Sequence, residues 1–146
     1  MRLGISEIFE LVAKEPSKQG KIDLLRKHYT PSLAQFVRAA LDPIFVWDLP
    51  PGNPPYKQNP YPAQENNLQQ ELRRFYLFFK GGNTNLTSVR REALFIQLLE
   101  SLSPKDAELV LAAKDKKIPY KGLNIKLFNE AYPNLIQEDK GGKDVP

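Results

Sequence analysis

The chain has 146 residues, of which 41% are hydrophobic and 26% charged, enough length for one domain with its own core and a composition far from that of a disordered chain. It contains no cysteine and a single histidine, which excludes thiolate catalysis, disulfide frameworks, zinc fingers and histidine-rich metal sites together. Lysine and arginine number 21 against 17 acids, a net charge of +4 that suits an anionic partner; no apolar run approaches the roughly 18 residues that span a bilayer, so a cytoplasmic protein without membrane contact is expected.

From residue 6 to 14, Ile8, Phe9, Leu11 and Val12 recur at helical spacing, and Pro16 then disfavours helical geometry at Glu15. Ser17 caps a second helix that ends near His28, with Ile22, Leu25 and Tyr29 on one face. Thr30 as cap, with Pro31 at the first helical position, opens a third helix in which Leu33, Phe36, Val37 and Ala40 face inward until Asp42 and Pro43 stop it. Residues 44–47 are apolar and β-prone but too few to found a sheet. They read as a packed turn, with Trp47 a core anchor rather than a base-stacking platform.

Residues 50–62 hold six prolines in thirteen positions, which requires an extended loop rather than an element. Helix resumes near Gln64, where Leu68, Leu72, Phe75, Tyr76 and Phe79 make a broad apolar face, and Gly81 and Gly82 end it. Asn85 or Thr87 caps the next helix, with Leu94, Phe95, Leu98, Leu99 and Leu102 as its buried stripe; Ser103 and Pro104 stop it and start a sixth reaching about Lys114. After Pro119 and Gly122 a short last helix carries Leu123, Leu127, Phe128 and Ala131, and Pro133 closes it. The fold expected is all-α: a single compact domain of six to seven short helices over residues 1–136, with one long proline-rich loop at 48–63 and a flexible polar tail at 137–146.

The basic residues cluster. Arg73, Arg74, Lys80, Arg90 and Arg91 occur within 73–91 without one acid, a local +5; residues 105–126 and 14–27 each carry a local +3. These stretches fall at helix ends and interhelical turns, where unpaired backbone amides and the positive end of a helix dipole suit phosphate. Two segments have the small-residue make-up that lets a phosphate approach, Lys80-Gly81-Gly82-Asn83-Thr84-Asn85 and Lys121-Gly122-Leu123-Asn124. The bland alternative is a glycine that ends a helix beside solvated lysines.

No set of residues offers a catalytic group, a cofactor site or a carboxylate metal site. Ser17, Ser88 and Ser103 read as helix caps rather than nucleophiles, and His28, at a helix C-terminus, as a residue stabilised there by the dipole. An enzyme is not expected.

Several segments, in order, resemble the all-helical DNA-binding domain that precedes the catalytic core of ATP-dependent DNA ligases, above all the short phage-type enzymes. Ile8-Phe9-Glu10-Leu11-Val12, Ser17-Lys18-Gln19 and Ile22-Asp23-Leu24-Leu25 are similar to that family's opening helix pair. Leu86-Thr87 followed by Glu92-Ala93-Leu94 resembles its L-T-G-N-x-A-L turn, with Ser88-Val89 where Gly-Asn is usual. The run from Leu102 to Leu111 is similar to the helix leading into its D-L-R-x-G turn, here Lys116-Lys117-Ile118-Pro119-Tyr120-Lys121-Gly122, and Phe128-Asn129-Glu130-Ala131-Tyr132-Pro133-Asn134-Leu135-Ile136 to its closing helix and x-x-P-x-L-I ending.

The resemblance implies a domain that lies on the minor groove and grips phosphates through backbone amides and basic side chains, without reading sequence. Gly122 with Lys121 matches one gripping turn, and Thr87-Ser88 with Lys80 the other. The adenylating signature K-x-D-G occurs nowhere, and Lys114-Asp115 is not that motif, so the resemblance implies DNA holding without sealing chemistry.

Two readings follow. In the first, the protein is a non-enzymatic, sequence-independent module on double-stranded DNA, nicked or intact, accessory to viral replication or repair in the host cytoplasm. Lys18, Lys21, Lys80, Thr87, Ser88, Arg90, Lys117, Lys121 and Gly122 make its contacts. In the second, it is an adaptor that offers Pro54, Pro55, Tyr56 and Tyr61 of the proline-rich loop to a replication or transcription protein.

Overall fold

A computed structural model describes residues 4–50, 52–59, 68–82 and 85–136. Among them lie seven α-helices: α1 (Ile5–Lys14), α2 (Lys18–Lys27), α3 (Pro31–Leu41), α4 (Leu68–Glu71), α5 (Ser88–Ser101), α6 (Pro104–Lys114) and α7 (Ile125–Ala131). A 3₁₀ helix, Leu72–Phe78, continues α4. The fold is all-α: no strand forms among the described residues, and the one β-type pairing is an isolated antiparallel bridge between Trp47 and Phe79. The tail expected at 137–146 lies outside the described residues.

The helix starts follow the capping chemistry. Ser17, Thr30, Thr87, Ser103 and Asn124 each accept an amide three residues on, from Gly20 (2.9 Å), Leu33 (3.0 Å), Arg90 (3.1 Å), Asp106 (3.3 Å) and Leu127 (2.9 Å). Each such cap contributes about 1 kcal/mol. Thr87, and not Asn85, therefore caps α5, and Ser88 is its first helical residue rather than a cap.

The fourth helix differs from expectation. Instead of one α-helix from Gln64 to Phe79, a single α-turn tightens at Leu72 into the 3₁₀ helix, and residues 60–67 lie outside the described part. With three residues per turn, positions three apart eclipse, so Leu72, Phe75 and Phe78 form one buried row. Tyr76, expected on the apolar face, is turned out at 53% exposure. Phe79 leaves the helix for the bridge with Trp47.

The core is aromatic. Phe9, Phe36, Phe75, Phe78, Phe95 and Phe128 are fully buried, and Trp47 meets Phe75, Phe79 and Phe95 edge-on at centroid distances of 5.5, 5.0 and 6.3 Å. The indole Nε1 donates to the Ala39 carbonyl at 3.0 Å, so the anchor's one polar atom is satisfied. Around this centre α3 packs on α6, and α2 packs on both α1 and α7. The turn at 44–47 is less packed than expected: Trp47 is buried and Phe45 half-buried, while Ile44 and Val46 are 70% and 46% exposed. Leu11 and Tyr29 are likewise exposed, although Tyr29 lies edge-on to Tyr132 at 5.2 Å.

The proline-rich segment has no helix or strand over residues 52–59, and it lies against its own chain. The Lys57 amide donates to Glu100 at 2.9 Å, and Lys114 Nζ donates to the Pro50 carbonyl at 3.3 Å. Pro50, Pro54 and Pro55 wall a cavity of about 230 Å³ against Glu92, Phe95 and Ile96 of α5. Tyr56 packs on the core, and burial together with Glu108 raises its phenol pKa.

Candidate nucleic-acid interface

Sorting the cations by what each one touches separates structural charges from available ones. In the corner made by α1, α2 and α7, Lys18 pairs with Glu130 at 2.7 Å. Lys21 Nζ donates to the carbonyls of Glu15 and Val12, closing the C-terminal end of α1. Gly122 adopts a left-handed φ of 86°, and a side chain there would come within 3.3 Å of Lys21 Cε. The turn before α7 and the start of α2 thus touch at Gly122 and Lys21. Lys21 and Lys18 are occupied holding that corner. Lys117 and Lys121, in the segment between α6 and α7, are exposed and make no ion pair among the described residues.

The second turn is held by Arg91. It is 8% exposed, and its guanidinium donates to the carbonyls of Leu77 (3.2 Å) and Leu86 (2.9 Å) and pairs with Asp48 at 3.3 Å. It ties the 3₁₀ helix, the chain after the 43–47 turn and the start of α5 into one corner, and is unavailable to phosphate. Arg74 pairs with Glu71 at 3.7 Å. Arg73, Lys80 and Arg90 remain, exposed and without an acidic partner among the described residues.

Both glycines here serve the backbone. Gly81 takes a φ of 82°, and a side chain on Gly82 would lie 1.8 Å from the Tyr76 carbonyl oxygen. Thr87 Oγ1 is taken by the Arg90 amide, and Ser88, exposed, is the first residue of α5.

The 43–47 segment is bonded from two sides. The Lys80 amide donates to the Val46 carbonyl at 2.8 Å on one side. On the other, Lys116, next to Lys117, directs Nζ at the carbonyls of Ala39, Asp42 and Phe45 at 3.2, 2.7 and 2.8 Å. Burial lowers the Lys116 ammonium pKa, with Asp42 opposing that shift. Lys114 is buried and bound to Asp115 and Pro50, and Lys105 pairs with Glu10. Of the predicted cations, the structure leaves Lys80, Arg90, Lys117 and Lys121 available.

Periodicity already carried the signal for Arg91, because Arg91, Phe95, Leu98 and Leu102 follow at spacings of four, three and four and share the inward stripe of α5. Lys116 had no such signal. For the second reading, Pro54, Pro55 and Tyr56 contact their own chain, and Tyr61 lies outside the described residues. Among the described residues no group of three acidic or histidine side chains is placed to hold a metal ion, and no helix is long and apolar enough to cross a membrane.

Residues 8–120 match a family whose description is a family of unknown function, DUF6433. No curated protein and no solved structure matches the chain.

Proposed function

The chain belongs to the DUF6433 family, and from the cations its fold leaves free we propose that it is a non-enzymatic module that binds duplex DNA without reading sequence. The observation that carries this reading is the placement of Lys80, Arg90, Lys117 and Lys121. All four are exposed and lack an acidic partner among the described residues; the Lys80 amide is bonded to Val46, and Lys117 adjoins Lys116, whose amine reaches the Phe45 carbonyl. Lysine and arginine at such turns pair with phosphate oxygens whatever the bases are, and the gain in affinity comes from released counterions.

Lys21 and Gly122 act in this reading as positioning residues, since they fix the turn that carries Lys117 and Lys121. Lys18 holds α2 to α7 behind them, and Thr87 sets the tip of α5 where Ser88 and Arg90 stand. The ligase-like segments support the same class of partner, and an accessory role in viral replication or repair is the setting they suggest. The adaptor reading has less support, because Pro54, Pro55 and Tyr56 are engaged by α5 and the core.

Fluorescence anisotropy with intact, nicked and single-stranded DNA of one sequence, across a range of salt, tests the reading. Four phosphate contacts predict a log–log salt slope of about −3.6 on duplex. Lys121→Glu is expected to weaken binding about tenfold on every sequence alike. Absence of duplex binding at low salt, or a slope near zero, overturns the proposal.

A further inference from the structure

The 3₁₀ helix and the residue after it sort their aromatic side chains into two faces. Residues 75–79 hold Phe75, Tyr76, Phe78 and Phe79, and three of these rings pack inward: Phe75 and Phe79 lie edge-on to Trp47, and Phe78 to Phe95. Tyr76 is turned out. At 53% exposure it is the most exposed aromatic residue among those described, and there its ring meets no other ring and no cation, and its hydroxyl makes no hydrogen bond. Tyr29, of similar exposure, differs in that its ring meets Tyr132. The buried row of Leu72, Phe75 and Phe78 fixes the outer one, so Tyr76 is a ring held toward solvent without an aromatic or cationic partner.

The groups around it are cationic. Positions three apart eclipse in a 3₁₀ helix, which puts exposed Arg73 on the row of Tyr76. The following turn folds back onto the same residue: the Phe79 amide donates to the Tyr76 carbonyl at 3.3 Å, and a side chain on Gly82 would collide with that oxygen, so Lys80 stands beside it. Arg91, through its bond to the Leu77 carbonyl, holds the start of α5 alongside, where Arg90 is exposed. The neighbouring acids are engaged elsewhere. Glu71 pairs with Arg74, the partly exposed Asp48 pairs with Arg91, and Glu92 lines the cavity beneath the proline-rich segment. Glu65 lies outside the described residues.

An open aromatic face among unpaired cations is the combination that holds unpaired nucleotides, because the cations take phosphates and the ring takes a base. In a continuous duplex each base is already covered above and below, and this surface meets phosphate and sugar alone. We propose that Tyr76 stacks on an unpaired base while Arg73, Lys80 and Arg90 hold the adjoining phosphates, so that the preferred ligand is a duplex interrupted by a single-stranded gap. The stack rests on the preceding reading for DNA as the partner, and it adds which part of the DNA this surface selects.

Fluorescence anisotropy of the full chain with two DNAs of one sequence, continuous and gapped by about four nucleotides, tests it. The gapped DNA is expected to bind about tenfold more tightly, the size of one base stack. Tyr76→Ala should abolish that preference and leave continuous-duplex binding within about twofold of wild type. Tyr76→Phe, which keeps the ring, should retain the preference, and Tyr76→Leu, apolar but without a π face, should lose it. A fluorescent adenine analogue placed in the gap gives a second readout: its emission, quenched by stacking, should fall on binding wild type or Tyr76→Phe and not Tyr76→Ala. Arg73→Gln should lower the salt slope on gapped DNA by about 0.7. Because Tyr76 and Arg73 are exposed, all these variants should keep the wild-type circular dichroism spectrum.

Equal affinity for the two DNAs, a preference that survives Tyr76→Ala, or a Tyr76→Leu variant that binds as wild type overturns the proposal and leaves the duplex reading standing. Binding to gapped DNA alone, with the continuous duplex unbound at low salt, overturns the duplex reading and keeps the stack. Binding to neither overturns both.

Discussion

Replacing Arg91 by alanine removes the donors that serve two carbonyls, on Leu77 and Leu86, and the partner of Asp48. The Asp48 side chain is partly exposed, so solvent screens the ion pair and the main cost comes from the two carbonyls left without a donor. Arg91→Ala is expected to lower unfolding stability by about 2–3 kcal/mol, read from the midpoint of urea denaturation. Arg91→Lys should not restore it, because a single ammonium on a flexible stem does not reproduce a fork that reaches two carbonyls and a carboxylate. A shift in the alanine variant below about 0.5 kcal/mol, the range of an ordinary surface substitution, would show that the corner is held by packing alone.

At the scale of elements, the end of α6 shows what sequence reading reaches and what it misses. The Lys116 amide donates to Ala113 at 2.8 Å and the Lys117 amide to Ala112 at 2.9 Å, the pairing of a Schellman motif with Lys116 at the left-handed position, φ 61°. That position favours glycine, and with no glycine there the sequence carried no stop signal beyond Pro119. A lysine stands there because its amine closes the last turn of α3, a contact between residues more than seventy positions apart.

Two substitutions separate these roles. Lys116→Gly relieves about 1 kcal/mol of backbone strain but loses the amine, whereas Lys116→Met keeps the strain and leaves three carbonyls without their ammonium donor, at a cost of about 1–3 kcal/mol. The expected order of urea midpoints is wild type, then Gly, then Met; Met at or above wild type would deny the amine its role, and Met at or above Gly would deny the backbone strain. Elements with local signals were legible: the caps at Ser17, Thr30 and Ser103, the proline starts of α3 and α6, and the stripe of α5. The 3₁₀ winding of Leu72–Phe78 was not, since it is set by Trp47 and Phe95 packing from distant parts of the chain. The basic turns were also legible as positions, but which cations are free depends on carbonyls and acids that only the tertiary structure brings near.

At the scale of the whole molecule, Asp106 sits where α1, α4 and α6 come together. Burial raises its carboxyl pKa, opposed by the Ser6 and Ser103 hydroxyls and the Leu68 backbone, and Oδ1 has no partner among the described residues. A carboxyl whose folded-state pKa exceeds its unfolded value of about 3.9 stabilises the fold below that unfolded value, and this contribution is lost as pH rises through the folded one. Near neutrality the fold therefore carries a charge that it disfavours. Asp106→Asn keeps the shape without the charge, so its melting temperature at neutral pH is expected to equal or exceed that of the wild type, with the difference shrinking toward about pH 4. Thermal melts of both proteins across that range check the sign; a variant that melts lower at neutral pH than at acid pH, relative to wild type, would reverse it.

The contact of α2 with α7 has a consequence for how the chain is made. Arg26 donates to the carbonyls of Glu130 and Ala131, both at 3.0 Å, and the Tyr132 hydroxyl donates to the Leu25 carbonyl, closures that join residues 104 to 107 positions apart. A ribosome adding about 5–20 residues per second takes about 5–20 s to cover that distance. During that interval the first helices stand outside without the surface that buries Phe9 and Leu25, and the nascent chain presents them to whatever chaperone or partner is at hand.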